Sequence, residues 1–143
     1  MSYKLKYKKA LSMSPCLPLV LKGWDELLKL DYVDSHCTTV INDDYEILWF
    51  ECDDEPVAFL LFSTHPEEGY VWIRLVYVRP DHRRNHLYQK MYKKLKNMCI
   101  KEGVIPKISG GINTKNKPMI DTAKKMKRYI EYSVWTEDLP VKE

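Results

Sequence analysis

The stretch Val71–Lys96, VWIRLVYVRPDHRRNHLYQKMYKKLK, carries the clearest structural pattern in this chain. An apolar strand pattern runs into Arg79-Pro80, and a short basic turn then leads into a helix that begins near Leu87. A helix N-terminus offers free N–H groups and the positive end of the helix dipole, which both favour a phosphate. Arg83 and Arg84 lie where their charge reinforces that attraction. The alternative is an ordinary strand–loop–helix connection with solvated basic residues.

Strand patterns occur on both sides of this helix. Residues Tyr3–Tyr7 alternate apolar and charged side chains, as an edge strand does. Asp53–Pro56 and His65–Gly69 have the composition of turns, so the strands that they join are expected to pair antiparallel. The predicted strands are Tyr3–Tyr7, Tyr45–Cys52, Val57–Ser63, Tyr70–Val78, Val104–Gly111 and Tyr129–Thr136.

Three segments have helical patterns. In Pro15–Leu30 the apolar residues recur every three or four positions, which predicts a helix with Ser14 as its N-cap and Pro15 at the first helical position. The helix from Leu87 has an apolar stripe and ends at Gly103. The remaining predictions are a short helix at Pro118–Lys127 and an irregular segment at Asp34–Asn42.

The order of these elements bounds the fold. Three strands, a helix, a strand, a helix and a strand indicate an α+β fold with a mixed sheet, not a doubly wound one. A chain of 143 residues with 45% hydrophobic residues can bury one core, so we predict a single domain over residues 1–143. No run approaches the roughly 18 apolar residues of a membrane span, and no signal-peptide core is present, which predicts a cytoplasmic protein without a membrane partner.

The cysteines predict neither a metal site nor a disulfide. They are scattered and form no C-x-x-C pair, so free thiols are expected. The four positions are Cys16, Cys37, Cys52 and Cys99.

The segment from Val78 to Tyr88 also carries a motif. Val78-x-Pro80-x-x-Arg83-x-x-His86-x-Tyr88 resembles the acyl-CoA-binding motif V-x-P-x-x-R-x-x-G-x-G/A of the GCN5-related N-acetyltransferases, the GNAT family. The resemblance covers about residues 45–135 and implies a mostly antiparallel central sheet, flanked by helices and splayed between the fourth and fifth strands. Three segments carry it further: Glu55–Leu60 is similar to the family's third strand, Tyr70–Val78 to its fourth, and Asn113–Met126 to its Asn-bearing loop and following helix.

The resemblance implies N-acetyl transfer from acetyl-CoA, as co-substrate, to an amine of a small molecule, peptide or protein. Backbone N–H groups at the splayed end of the fourth strand would polarise the thioester carbonyl. In the family the Asn-bearing loop contacts the cofactor arm, and here either Asn116 or Asn113 fills that role. The implied cofactor-binding residues are Val76, Tyr77, Val78, Arg83, Arg84, Asn85, His86, Leu87, Tyr88 and Asn116.

The chain departs from the family pattern at two sets of positions. Both motif glycines, which let the backbone approach the pyrophosphate, are replaced, by His86 and Tyr88. Arg74 stands where the family often has a carboxylate, and Ala123 where it often has a tyrosine, so the catalytic residues are unassigned. The candidates are Glu46, Glu51 or a water chain for the general base, and Tyr129 or Tyr132 for the general acid.

Charge is segregated along the chain, whose net charge is +3. Residues 43–68 hold many carboxylates and no Lys or Arg, whereas Arg79–Arg128 is dominated by basic residues. The simpler interpretation is solvated faces. In an acyl-CoA enzyme the basic part would dock the phosphates, and the acidic part would receive an amine-bearing acceptor. Nucleic acid is not expected as a partner, because no recognised motif accompanies the basic residues.

The departures leave a second function class open, a catalytically weak or inactive GNAT-fold protein that acts as a binding or regulatory module. The lost glycines and the missing acid/base pair favour it, whereas the Val-x-Pro-x-x-Arg frame and the Asn loop favour the enzyme. The sequence does not identify the acceptor, and it leaves a homodimer open.

Overall fold

The computed structural model describes residues 2–32, 42–103, 107–130, 137 and 139–140. Within these ranges, five strands and three α-helices form an α+β fold, which confirms the predicted fold class. Among the described residues, no helix has the length and apolar character needed to cross a membrane. In chain order the elements are β1 (Tyr3–Lys8), a 3-10 turn (Leu11–Met13), α1 (Leu17–Lys29), β2 (Glu46–Cys52), β3 (Glu55–His65), β4 (Tyr70–Val78), a second 3-10 turn (Pro80–His82), α2 (Leu87–Glu102), β5 (Lys107–Gly110) and α3 (Lys117–Lys125).

The sheet has its strands in sequence order, β1-β2-β3-β4-β5. The first four pair antiparallel with their neighbours, and β5 pairs parallel to β4. A parallel pair needs a crossover connection, and α2 supplies it. The sheet is therefore mixed and mostly antiparallel, as the sequence predicts.

Helices cover both faces of the sheet. On the first face, Leu87, Met91 and Leu95 of α2 are buried against strand residues such as Leu60 and Phe62. Full burial of a side chain of this size stabilises the fold by about 1.5–3 kcal/mol. The second face is covered by α1, and its buried residues include Leu19, Val20, Trp49, Phe59 and Leu61. The two helices thus hold the sheet from opposite sides.

The turn between β2 and β3 is tighter than the sequence predicts. Cys52 pairs with Glu55, so the loop contains only Asp53 and Asp54, which both have left-handed backbone with φ of 53° and 63°. Two left-handed residues are the geometry of the two-residue hairpin, whose twist matches that of the flanking strands. The prediction of a turn over Asp53–Pro56 is wrong in its second half, because Glu55 and Pro56 belong to β3.

Helix α1 begins two residues later than predicted. Its N-cap is Cys16, and Pro18 lies in the first turn. A helix starting at Pro15 would need the missing N–H of Pro18 for its first internal hydrogen bond, so the later start is the one that proline allows. Ser14 is therefore not the N-cap, although its Oγ accepts a hydrogen bond from the Cys16 N–H at 3.2 Å.

The C-terminal predictions are met in part. The strand predicted at Val104–Gly111 is shorter, since β5 covers Lys107–Gly110 and residues 104–106 lie outside the described part. Helix α3 ends before Lys127, whose φ of 60° is incompatible with a continuing helix. Tyr129 and Ile130 are not in a strand, and residues 131–136 of the predicted closing strand are outside the described residues. Most of the segment predicted as irregular, residues 34–41, is likewise outside them.

Candidate functional site

The strands β4 and β5 separate part-way along their length. Their pairing runs from Tyr70 opposite Lys107 to Ile73 opposite Gly110, and β4 then continues alone on that side through Val78. A Cβ at Gly110 would lie 3.2 Å from the Ile73 carbonyl oxygen, so glycine permits the close approach of the last pair. In the described residues the edge of β4 beyond Ile73 is therefore open, which is the predicted splay.

The open edge presents backbone groups at alternate residues. The Arg79 N–H donates to the Val57 carbonyl across β3 at 2.9 Å, so the preceding residue, Val78, turns its N–H and C=O away from β3. Consistent with this, the Val78 carbonyl accepts a hydrogen bond from Arg83 Nε at 2.9 Å. By the same alternation Val76 also faces the opening. An extended ligand with its own amides can add to this edge as a strand would.

The N-terminus of α2 follows directly after the open edge. Lys90 donates the first hydrogen bond of the helix, to the His86 carbonyl at 3.0 Å, so the N–H groups of Leu87, Tyr88 and Gln89 have no intrahelical partner. The N-cap residue His86 makes no side-chain cap, and its backbone is left-handed with φ of 57°. Free N–H groups at the positive end of a 16-residue helix favour an anion.

Arg83 is held by α1. Its Nη2 donates to Glu26 Oε1 at 2.9 Å, and its guanidinium lies 5.7 Å from the centre of the Tyr77 ring. The Tyr77 hydroxyl donates to the other oxygen of Glu26. Partial burial alone would raise the pKa of Glu26, but the hydrogen bonds from Tyr77 and Arg83 outweigh it and lower that pKa. Burial and the neighbouring carboxylate raise the pKa of Tyr77 to about 12.

The loop between β4 and α2 is braced from within. Asn85 Nδ2 donates to the His82 carbonyl at 3.0 Å and to the Arg83 carbonyl at 3.3 Å. His82 Nδ1 is hydrogen-bonded to the Tyr3 hydroxyl at 3.0 Å, which ties the loop to β1. Arg84 is exposed, and its backbone is left-handed with φ of 68°. Among the described residues the Arg84 guanidinium makes no ion pair, whereas that of Arg83 is paired with Glu26.

The side chains of Leu87 and Tyr88 point into the core below α2. Leu87 is 2% exposed and Tyr88 is 8% exposed. The Tyr88 hydroxyl accepts a hydrogen bond from Arg128 Nη1 at 3.1 Å, which connects the start of α2 to the end of α3. Burial raises the pKa of Tyr88. At the second motif-glycine position the chain therefore offers a ligand its backbone, not its ring.

Both candidate asparagines make local hydrogen bonds. Asn116 is the N-cap of α3, and its Oδ1 accepts from the Met119 N–H at 3.3 Å. Asn113 Oδ1 accepts from the Lys115 N–H at 2.9 Å, and the Asn113 carbonyl accepts from the Asn116 N–H. The structure thus gives Asn116 a capping role and Asn113 a turn role, on the loop that joins β5 to α3.

The candidate acid and base groups do not converge on the opening. Glu46 accepts from the Tyr7 hydroxyl at 2.6 Å, and Glu51 pairs with Lys6 Nζ at 2.8 Å. Both carboxylates are on β2, two strands or about 9.6 Å from β4. The ion pair with Lys6 is the main reason that the pKa of Glu51 is lowered. Tyr129 is 76% exposed, Ala123 lies in α3, and Tyr132 is outside the described residues.

Comparison with known proteins supplies the family. A family model described as "Acetyltransferase (GNAT) family" matches residues 14–127. This chain belongs to the GNAT acetyltransferase family. No curated protein matches its sequence.

Solved GNAT-type structures share the fold at low sequence identity. A ribosomal-protein-alanine N-acetyltransferase from Brucella melitensis biovar Abortus 2308 superimposes with a TM-score of 0.71 at 16% identity, covering 97% of this chain and 100% of that one. An aminoglycoside acetyltransferase from an uncultured soil metagenomic sample, in complex with sisomicin, gives 0.68 at 12%, covering 98% and 97%. The aminoglycoside N-acetyltransferase AAC(6')-Iy in complex with CoA gives 0.66 at 10%, covering 96% and 100%. The described elements are therefore those of a GNAT sheet.

One feature of this GNAT sheet was not identified from the sequence. The pairing of β3 with β4 shifts so that Leu61 is opposite Leu75 while Phe62 is opposite Ile73, which makes Arg74 the extra residue of a β-bulge. Bulges re-aim side chains and are frequent beside active sites. Here Arg74 joins polar and aromatic side chains on the face covered by α1. We call this set the Arg74 cluster: Tyr45, Ser63, His65, Tyr70, Trp72 and Arg74.

Proposed function

We propose that this chain is an N-acetyltransferase that takes the acetyl group from acetyl-CoA and passes it to an amine. The observation that carries the proposal is the open edge of β4, which leads directly into the uncapped N-terminus of α2. A strand edge suits the amide-bearing pantetheine arm, and free helical N–H groups suit the pyrophosphate. The family match and the CoA complex of AAC(6')-Iy support the same ligand.

Each element of the opening has a separate task in this proposal. Backbone groups of Val76 and Val78 pair with the ligand's amides, and the N–H groups of Leu87, Tyr88 and Gln89 receive phosphate oxygens. Arg83 donates to the Val78 carbonyl at present, so it has to release that oxygen when a ligand pairs there. Arg84, which is exposed beside the helix N-terminus, adds a charge-assisted contact.

Acetyl-CoA supplies a thioester whose carbonyl carbon accepts the neutral amine, after which the C–S bond breaks and the thiolate takes a proton. In this proposal, backbone N–H groups at the splayed end of β4 stabilise the oxyanion. The amine has to lose a proton. His65 is our candidate to accept it, because its Nε2 is hydrogen-bonded to Ser63 on the face that carries Arg74.

A calorimetric titration with acetyl-CoA tests the proposal. Arg84→Ala should weaken binding about fivefold, because one charge-assisted contact at an exposed site is lost. Lys101→Ala is the matched control: it removes the same charge from an exposed residue in the last turn of α2, far from the proposed phosphate site. Its affinity should stay within about twofold of the parent.

The competing function is a GNAT-fold binding module that does not use acetyl-CoA. It is favoured by the contacts of Arg83, whose charge is already paired with Glu26. Amide hydrogen exchange separates the two. On addition of acetyl-CoA, protection should concentrate at Val76–Tyr88 and around Asn113–Asn116. Absence of heat, thermal shift and protection at millimolar acetyl-CoA would refute the enzyme and leave the binding module.

A further inference from the structure

We propose that Arg74 binds a carboxylate of the acceptor, so that the acceptor class is a compact amine that also carries a carboxyl group. This inference rests on the proposed acetyl transfer. It concerns the side of the opening that receives the amine, for which the charge pattern of the sequence suggested an acidic surface. In this inference the charged side chain on that side is instead the cation of Arg74.

Arg74 lies at the point where the two parallel strands separate. Ile73 is the last residue of β4 that pairs with β5, and Arg74 is the next one. Its side chain lies on the face of the sheet covered by α1, since it contacts Tyr45 and Ser63. The N-terminus of α2 and its buried stripe belong to the opposite face. A group that approaches the opening from the α1 side therefore contacts Arg74 at the point where β4 and β5 separate.

The guanidinium of Arg74 is held in a fixed orientation. Its Nε donates to Ser63 Oγ at 2.9 Å, and its central carbon lies 5.1 Å from the centre of the Tyr45 ring and 6.0 Å from that of Trp72. Ser63 in turn is hydrogen-bonded to His65 Nε2 at 2.8 Å. Because arginine can only donate, Ser63 Oγ is the acceptor in its hydrogen bond with Arg74. These contacts fix the Nε side of the planar guanidinium group and leave its two terminal amino groups for another partner.

The charge of Arg74 is uncompensated in the described part of the chain. No carboxylate there lies within 4.0 Å of it. By contrast, Arg83 is paired with Glu26, and Arg79 lies 4.0 Å from the carboxylates of both Glu55 and Asp81. An oriented guanidinium with two free amino groups matches the bidentate geometry of a carboxylate. Its partly buried position strengthens the attraction, because the effective dielectric constant is lower there than in water.

The same site disfavours an acceptor whose only charge is positive. A cationic amine without a carboxyl group would place a second positive charge beside Arg74. Glu46 and Glu51, the two candidate general bases, are on β2 and already have partners of their own. Tyr45 and Trp72 provide flat apolar walls beside the cation. The acceptor class that follows from these contacts is an amine with a nearby carboxylate.

The test compares acids with their amides. The acceptors are L-phenylalanine, β-alanine and 4-aminobenzoate, each against its primary amide, with release of CoA thiol as the readout. The three acids place the amine at different distances from the carboxylate. In Arg74→Gln, kcat/KM for the best acid should fall about 30-fold, because a charge-assisted bidentate contact is lost. For the matching amide it should change less than about threefold, and the affinity for acetyl-CoA should not change.

Arg74→Lys distinguishes charge from shape. It keeps the positive charge but loses the planar fork, so it should recover only a small part of the activity toward the acid. An equal loss of activity toward acid and amide in Arg74→Gln would make Arg74 a structural brace and overturn the inference. Turnover of the amides in preference to all three acids, or of none of the six compounds while acetyl-CoA still binds, would overturn it and leave cofactor binding intact. Failure to bind acetyl-CoA would instead refute the proposed function, and this inference with it.

Discussion

Replacing His86 by glycine should stabilise the protein, which is unusual for a glycine substitution at the start of a helix. His86 is exposed, makes no side-chain cap and has a left-handed backbone with φ of 57°. A left-handed conformation costs an L-residue about 1–2 kcal/mol, with histidine among the more tolerant side chains. Glycine adopts this conformation without that cost.

The net effect is the difference between two terms of similar size. Relief of the backbone strain gives about 1 kcal/mol, and the greater freedom of glycine in the unfolded chain removes about 0.4–1 kcal/mol. Because no described side-chain hydrogen bond of His86 is lost, we expect His86→Gly to raise the free energy of unfolding by up to about 0.5 kcal/mol. Acetyl-CoA affinity should be kept or improved, since glycine lets the backbone approach the phosphates.

Gln89→Gly provides the matched control, because Gln89 is exposed on the same helix but has ordinary helical backbone. It should lose about 1 kcal/mol, so urea denaturation should separate the two variants by about 1–1.5 kcal/mol. Equal destabilisation of both variants would refute the argument from backbone strain. A loss of acetyl-CoA affinity in His86→Gly alone would show that the imidazole ring contacts the ligand.

Two further predictions concern the contact between α1 and β4. In Gly23→Ala the new Cβ would lie 2.7 Å from Tyr77 Cγ. The overpacking costs about 1–3 kcal/mol and should outweigh the gain of about 1 kcal/mol in helix propensity, so the variant should be less stable. A higher midpoint in urea denaturation would contradict this prediction. Glu26→Gln should lower stability at pH 7 by about 0.5–1 kcal/mol, a figure reduced for the exposure of the ion pair with Arg83. Because folding lowers the pKa of Glu26, its contribution is present above the unfolded value of 4.5 and is lost as the pH falls through the folded value, so the difference from the parent should disappear in acid. A difference that does not shrink as the pH falls from 7 to 3 would contradict the electrostatic explanation.

Local chemistry accounts for the part of the fold that the sequence predicts correctly. Pro80 follows the end of β4, and Gly103 ends α2 with a left-handed φ of 73°, as residues of those types do. The errors also have local causes. The turn predicted over Asp53–Pro56 needs only Asp53 and Asp54, because both adopt the left-handed conformation. Helix α1 was predicted to begin at Pro15, but it begins later because Pro18 lies in its first turn.

The site was harder to predict because its contacts are distant in sequence. The contact between Arg83 and Glu26 was not predicted, because Glu26 is on another element and no spacing rule connects the two. The bulge at Arg74 is visible in the sequence pattern of β4. The aliphatic residues that face α2 are Val71 and Ile73 before it and Val76 and Val78 after it, so the alternation changes phase. A search for such phase changes would have indicated the bulge, though not the contacts of the Arg74 side chain.

The strand order has a consequence for synthesis of the chain on the ribosome. Strands β1 to β4 neighbour one another in sequence, so each can pair with its predecessor as it leaves the ribosome, and α1 is available to cover one face. The other face, with Leu60 and Phe62, has to wait for α2 to be made through Glu102. The nascent protein therefore passes through a stage in which the face of the sheet that α2 will cover is still exposed to solvent. Chaperone binding to stalled chains should peak there and decline once α2 has emerged.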